Sequence, residues 1–166
     1  MDNLKAYHPV VSQILQLLRD TNCWFETFEH SPVRTSEEAA KLRDGYTLQQ
    51  GAKALVVRIK ISNSNKKFVM LVVPGDARFN TNKVKKLFSA KDIRFATEEE
   101  VIQLTNGVLP GGVPPFGNLF DLAVIADPTL FENEKIIFNA GDRSFSVAMR
   151  SADYKEIGKP QITSII

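Results

Sequence analysis

Residues 50–61, Gln50-Gly51-Ala52-Lys53-Ala54-Leu55-Val56-Val57-Arg58-Ile59-Lys60-Ile61, read as a β-strand entered from a glycine turn. Side chains alternate between the two faces of a strand. Lys53 therefore shares a face with Leu55, Val57, Ile59 and Ile61, while Ala54, Val56, Arg58 and Lys60 share the other. The more apolar face begins with a cation. A lysine at the mouth of a buried face, flanked by two alanines that leave room around it, can meet an anionic or carbonyl-bearing ligand in a low-dielectric pocket. The plain alternative is a strand-end lysine whose amine snorkels to water.

Outward from this strand, Ser62-Asn63-Ser64-Asn65 is a polar turn and Phe68–Val73 a second apolar strand, so the pair forms a β-hairpin that ends at Pro74-Gly75. Upstream, Val10, Val11, Ile14, Leu15, Leu17 and Leu18 recur at helical spacing between Pro9 and Arg19. Cys23–His30 is an aromatic-rich strand, and Thr35-Ser36-Glu37-Glu38 is a capping box opening a helix to about Arg43. A second box, Thr97-Glu98-Glu99-Glu100, opens a helix to about Leu104. Leu122–Ala126 and Lys135–Asn139 read as strands separated by an Asp127-Pro128 turn, Ser144–Met149 as one more strand, and Ser151 as the cap of a last helix stopping at Gly158.

The chain has 166 residues, 43% of them hydrophobic, which suits one domain over residues 1–166 with a full core. A net charge of +2 is too mild to announce a nucleic-acid partner by itself. The single cysteine, Cys23, excludes an intramolecular disulfide and a thiolate metal cluster and fits a reducing compartment. With no signal-like start and no long apolar run, the expectation is a cytoplasmic protein without a membrane partner.

Two further stretches carry candidate chemistry. Residues 78–94 hold six basic side chains against one acid, with Val84, Leu87 and Phe88 spaced to pack a helix on the core and Lys83, Lys85 and Lys86 facing outward. That face is either simply solvated or a contact for a phosphate backbone. Residues 107–117 hold seven of the seventeen glycines and prolines. Glycines let backbone approach a ligand and prolines fix the loop, so its N–H groups can cradle an oxyanion. Asn139-Ala140-Gly141-Asp142 reads as a strand end breaking into a turn. Walker, GxGxxG, HExxH and GxSxG patterns are absent, and His8 and His30 lie in different elements. An enzyme built from these parts works by positioning and polarisation, with no metal and no cofactor expected.

Taken together, Phe28-Glu29-His30, Thr35-Ser36-Glu37-Glu38-Ala39-Ala40, Gly51-Ala52-Lys53-Ala54-Leu55-Val56, Gly111-Gly112-Val113-Pro114-Pro115-Phe116-Gly117 and Phe138-Asn139-Ala140-Gly141 resemble the YbaK / prolyl-tRNA synthetase editing-domain superfamily. The likeness runs over about residues 5 to 160. It implies an α+β fold with a mixed, curved, barrel-like sheet flanked by helices. It also implies a free-standing deacylase that hydrolyses the ester of a mischarged tRNA bearing a small amino acid of the alanine, serine, threonine or cysteine class.

On this resemblance Lys53 matches the lysine on which activity depends. Gly111 and Pro115 end the GxxxP loop that holds the ester, with Gly112 and Val113 inside it, and Asn139, Ala140 and Gly141 match a second loop lining the amino-acid pocket. Phe28 and Ser146 stand where the cysteinyl branch has tyrosine and aspartate, and His30 joins them as a substrate-binding candidate. The implied partners are the acceptor end of tRNA, carried by the basic helix, and a synthetase such as prolyl-tRNA synthetase. The alternative is a non-catalytic module that binds tRNA or docks onto a synthetase. An open pocket between Lys53 and the glycine-proline loop distinguishes the two.

Overall fold

Helix α1 (Pro9–Asp20) buries Val10, Val11, Ile14, Leu15 and Leu18, the stripe its spacing sets up. The structure, a computed structural model, describes residues 6–166. Pro9 occupies the first turn of α1, and His8 caps it, Nδ1 accepting from the N–H of Val10 at 3.1 Å. The chain continues through β1 (Phe25–Glu29), α2 (Ser36–Leu42), β2 (Ala52–Lys60), β3 (Lys66–Pro74), α3 (Thr81–Phe88), β4 (Asp92–Phe95) and α4 (Glu98–Leu104). It ends with β5 (Val124–Ala126), β6 (Lys135–Asp142), β7 (Phe145–Arg150), α5 (Ser151–Gly158) and β8 (Gln161–Ile162).

The strands form two sheets. One is five-stranded and mixed, in the order β4-β2-β3-β5-β8: β2 runs antiparallel to β3 and β4, and β5 runs parallel to β3 and β8. The other is three-stranded and antiparallel, β1-β7-β6. An isolated bridge between Gly51 and Ile137 connects them. The α+β expectation holds, with curved sheets that are not closed into a barrel.

Both faces of the β2–β3 hairpin are buried, which corrects the one-sided reading of β2. Ala52, Val56, Met70 and Val72 join the larger core, with α1, Phe116, Phe138 and Tyr154. Val57, Ile59, Val69, Leu71 and Val73 join a second cluster under Val84 of α3 and Ile165. The larger core thus lies on the face opposite Lys53. Leu87, expected on the packed side of α3, is 37% exposed.

Several end signals differ from their sequence reading. The box at α4 is complete, but at α2 only half forms. Thr35 Oγ1 accepts from the Glu38 N–H, while the Glu38 carboxylate accepts from the N–H of Arg34, one residue before the cap. Ser151 is the first residue of α5 rather than its cap, and its hydroxyl donates to the carbonyl of Asn133 at 2.6 Å. The segment after Asp127 links strands of different sheets through a 3₁₀ turn over Pro128–Glu132. Asn139, Ala140 and Gly141 do not leave β6 as a turn. They stay within it, at a register shift against β7 between Asn139 and Asp142.

Candidate active site

A cavity of ≈ 380 Å³ opens where β2, the start of α2, the glycine-proline loop and β6 converge. Lys53, Gly111, Val113 and Asn139 all line it, although up to 86 residues separate Lys53 from Asn139 in the chain. Arg34, Arg43 and Arg78 add three cations, and Glu37 is the one carboxylate among its described lining residues. That field favours a carbonyl oxygen gaining negative charge, or a phosphate.

Lys53 enters from β2 and is half-buried. Its Nζ donates to the carbonyl of Ala77 at 2.6 Å, which holds the ammonium beside the segment carrying Arg78. Partial burial pulls its pKa below the usual lysine value of 10.5, a shift that Glu37 opposes and Arg78 reinforces.

The glycine-proline loop is fastened to the β6–β7 hairpin at several points. Asn139 Nδ2 donates to the carbonyl of Gly111 at 2.6 Å, the N–H of Gly141 to the carbonyl of Gly112 at 2.8 Å, and Arg143 Nε to the carbonyl of Pro110 at 2.7 Å. Tyr154 Oη on α5 donates to the carbonyl of Pro115 at 2.7 Å. Gly111 has φ +86, a conformation that L residues other than glycine rarely adopt. The N–H of Gly112 is taken by the carbonyl of Leu109, and Pro114 and Pro115 have none. The cradle therefore narrows to Gly111 and Val113, whose N–H groups meet no acceptor among the described residues.

Arg43, which sequence reading missed, completes the wall. It follows the last residue of α2, where a basic side chain reads as a solvent-facing complement to the helix dipole. It is instead 6% exposed. Its Nε donates to Ser146 Oγ at 2.9 Å and its Nη2 to Asn139 Oδ1 at 2.7 Å. Burial draws its pKa down to about 10, so the guanidinium stays charged at neutral pH. Behind it, Ser146 Oγ also faces His30 Nε2 at 2.7 Å and Asn139 Oδ1 at 3.1 Å, so one hydroxyl proton serves two acceptors when Nε2 is unprotonated.

Not every candidate reaches the cavity. Ser146 is fully buried behind Arg43, and His30 and Phe28 lie beside it on or next to β1, Phe28 paired with Ser146 in register and packed edge-on against Tyr46. Gly112, Pro115, Ala140 and Gly141 shape the loop and strand without lining the cavity. On α3, Lys83 Nζ is engaged by Ser164 Oγ at 3.1 Å and the carbonyl of Ile166 at 2.6 Å. Lys86 is exposed and Lys85 half-buried.

Residues 30–157 match the model of the aminoacyl-tRNA editing domain. A multifunctional Ser/Thr-tRNA deacylase, ProXp-y, of Escherichia coli strain K12 is 32% identical over 153 residues, covering 92% of this chain and 90% of its own. The proline–tRNA ligase of Bacillus subtilis strain 168 is 38% identical over 99 residues, covering 59% of this chain and 16% of the ligase. Among solved structures, one provisionally described as a trans-editing enzyme for prolyl tRNA synthetase superposes with a TM-score of 0.77 at 23% identity. That superposition covers 95% of this chain and 97% of the other, and it speaks for the fold alone.

Proposed function

The chain belongs to the aminoacyl-tRNA editing-domain family, and on that premise we propose that it is a trans-acting deacylase for tRNA mischarged with a small amino acid. The observation carrying this reading is the convergence of Lys53, Gly111, Val113 and Asn139 on one open cavity. A non-catalytic docking module has no need of an unplugged, cation-lined pocket. Residues 1–166 act as one editing domain in the cytoplasm, beside a synthetase such as prolyl-tRNA synthetase.

The aminoacyl ester enters amino acid first, with the acceptor end of tRNA held at the mouth. Water attacks the carbonyl carbon, the new carbon–oxygen bond forms, and the ester bond to the ribose oxygen breaks. The proton lost by water ends on that ribose oxygen, so the products are the free amino acid and uncharged tRNA. The N–H groups of Gly111 and Val113 stabilise the developing oxyanion, and Lys53 holds the ester or adjoining phosphate by its charge. Selection is by exclusion: a residue too large for the cavity is spared, the logic of a second sieve. Gly112, Pro115, Ala140 and Gly141 support the cavity wall from behind, and Phe28, His30 and Ser146 back Arg43.

The test is deacylation of tRNAs carrying alanine, serine, threonine, cysteine or proline by wild type and by Lys53→Ala. One or two small esters are hydrolysed, and turnover drops about a hundredfold or more in the variant. No hydrolysis across the panel, with tRNA still bound, returns the chain to a binding module.

A further inference from the structure

The most exposed large apolar side chain among the described residues is Phe95, at 59%. It ends β4, an edge strand of the five-stranded sheet. Its ring meets that of Phe79 edge-on, with centroids 5.5 Å apart and planes at 67°. In either role of such a pair, Phe95 keeps one ring face clear of its partner. Single apolar residues on a surface are ordinary, so what sets this pair apart is its position.

Phe95 pairs with Val57 in the ladder between β4 and β2, so it shares a sheet face with Val57, Leu55 and Lys53. Leu55 and Lys53 line the cavity. From Lys53 to Val57 is about 13 Å along the strand. The segment leading to Phe79 passes Lys53, whose Nζ donates to the carbonyl of Ala77, and it carries Arg78, an exposed cation of the cavity lining. Beyond Phe79 the chain enters α3, with Lys85 and Lys86, and α3 packs against β4. On the other side of Phe95 in the chain, α4 opens with the exposed acids Glu98 and Glu99. A phosphate chain leaving the cavity is drawn along Arg78 and α3 and kept off α4, and the aromatic pair lies on that route.

Resting on the deacylase reading, we infer that Phe95, propped by Phe79, is a stacking platform for the unpaired bases that precede the terminal adenosine of tRNA. The ester-bearing ribose is held at Lys53, and the nucleotides before it cross the sheet face towards Phe95. Stacking is indifferent to base identity, because every base has a π-face. The platform thus keeps any acceptor end in line with the cavity and leaves the choice of amino acid to the pocket. Phe79 is a positioning residue here, since its ring fixes that of Phe95.

The test is a cycle of affinities, at fixed salt, for the uncharged tRNAs of the deacylation panel, either intact or with abasic nucleotides just before the terminal adenosine. Wild type, Phe95→Ala and Phe95→Trp are compared. Wild type binds the intact form about tenfold or more tighter, in line with base–aromatic stacking. Phe95→Ala binds both forms alike, and Phe95→Trp restores the preference. Abasic sites keep every phosphate, so the comparison is blind to the lysines of α3. A melting curve checks that the alanine variant is folded, and the tryptophan variant, which keeps an aromatic ring against Phe79, carries the test beside it. A wild type without preference, or a preference that survives in Phe95→Ala, overturns the platform. If that wild type also forms a dimer that Phe95→Ala abolishes, the patch belongs to a second copy of the chain. A wild type that shows the preference but hydrolyses no ester loses the deacylase reading and keeps the platform.

Discussion

The side-chain amide of Asn139 donates to the carbonyl of Gly111 at 2.6 Å, while its oxygen accepts from Arg43 Nη2 at 2.7 Å. One residue of β6 thus couples the cradle of the glycine-proline loop to the buried cation. Asn139→Ala leaves a guanidinium N–H and a loop carbonyl without partners, a cost of about 1–3 kcal/mol. The melting temperature falls by roughly 2–4 °C for each kcal/mol, and deacylation falls with it. An unchanged melting curve would show that the loop holds itself.

Activity and stability part company at alkaline pH. Lys53 acts as a cation, and burial places its pKa below 10.5, with Glu37 opposing and Arg78 reinforcing. The rate, corrected for spontaneous ester hydrolysis, declines as pH rises through that lowered value. The sign for folding is the reverse. A lysine whose folded pKa lies below its unfolded one sheds its proton first in the folded state, so this group adds stability across the window between the two. A pH–rate profile recorded with a melting series checks both. A rate that holds up to the ordinary lysine range removes the charge requirement.

The lysines of α3 separate by their partners. Lys85→Ala and Lys86→Ala each reduce the slope of log K for tRNA against log salt by roughly one unit per phosphate contact. Lys83→Ala loosens the C-terminal segment instead, since its amine holds Ser164 and Ile166. Filter binding over a salt series distinguishes these outcomes. Slopes unaltered in both Lys85→Ala and Lys86→Ala leave α3 as a solvated face.

Gly141 has φ +110, and a Cβ there would lie 2.7 Å from Val10 Cγ1. Gly141→Ala therefore combines backbone strain with overpacking against α1, about 2–4 kcal/mol in all. Chemical denaturation measures the loss. A variant as stable as wild type would mean that α1 can withdraw from β6 without cost.

Local pattern made much of this legible. The 3.6-residue stripe of α1, the alternation in β2 and the density of glycine and proline around Gly111 are signals a short window contains. Lys53 stood out because a cation opened an apolar face. Arg43 gave no such signal, because its burial depends on Asn139 and Ser146, 96 and 103 residues away. Asn139-Ala140-Gly141-Asp142 reads as a turn from composition, yet the ladder with β7 keeps it extended around a bulge. The capping box at α2 is left half-formed because the Glu38 carboxylate accepts from the N–H of Arg34 instead. Strands as short as β8, two residues long, exist only because β5 offers an edge.

Gly51 and Ile137 supply the one isolated backbone bridge recorded between the two sheets among the described residues, and both line the cavity. The aperture is therefore a joint between two separately laddered bodies. One hydrophobic core packs side chains of both sheets, among them Val56 and Met70 with Ile136 and Phe138, so the packing of that core sets the width of the opening. The largest side chain admitted can thus drift through substitutions between α1 and β6, remote from Lys53, while the reacting groups keep their places.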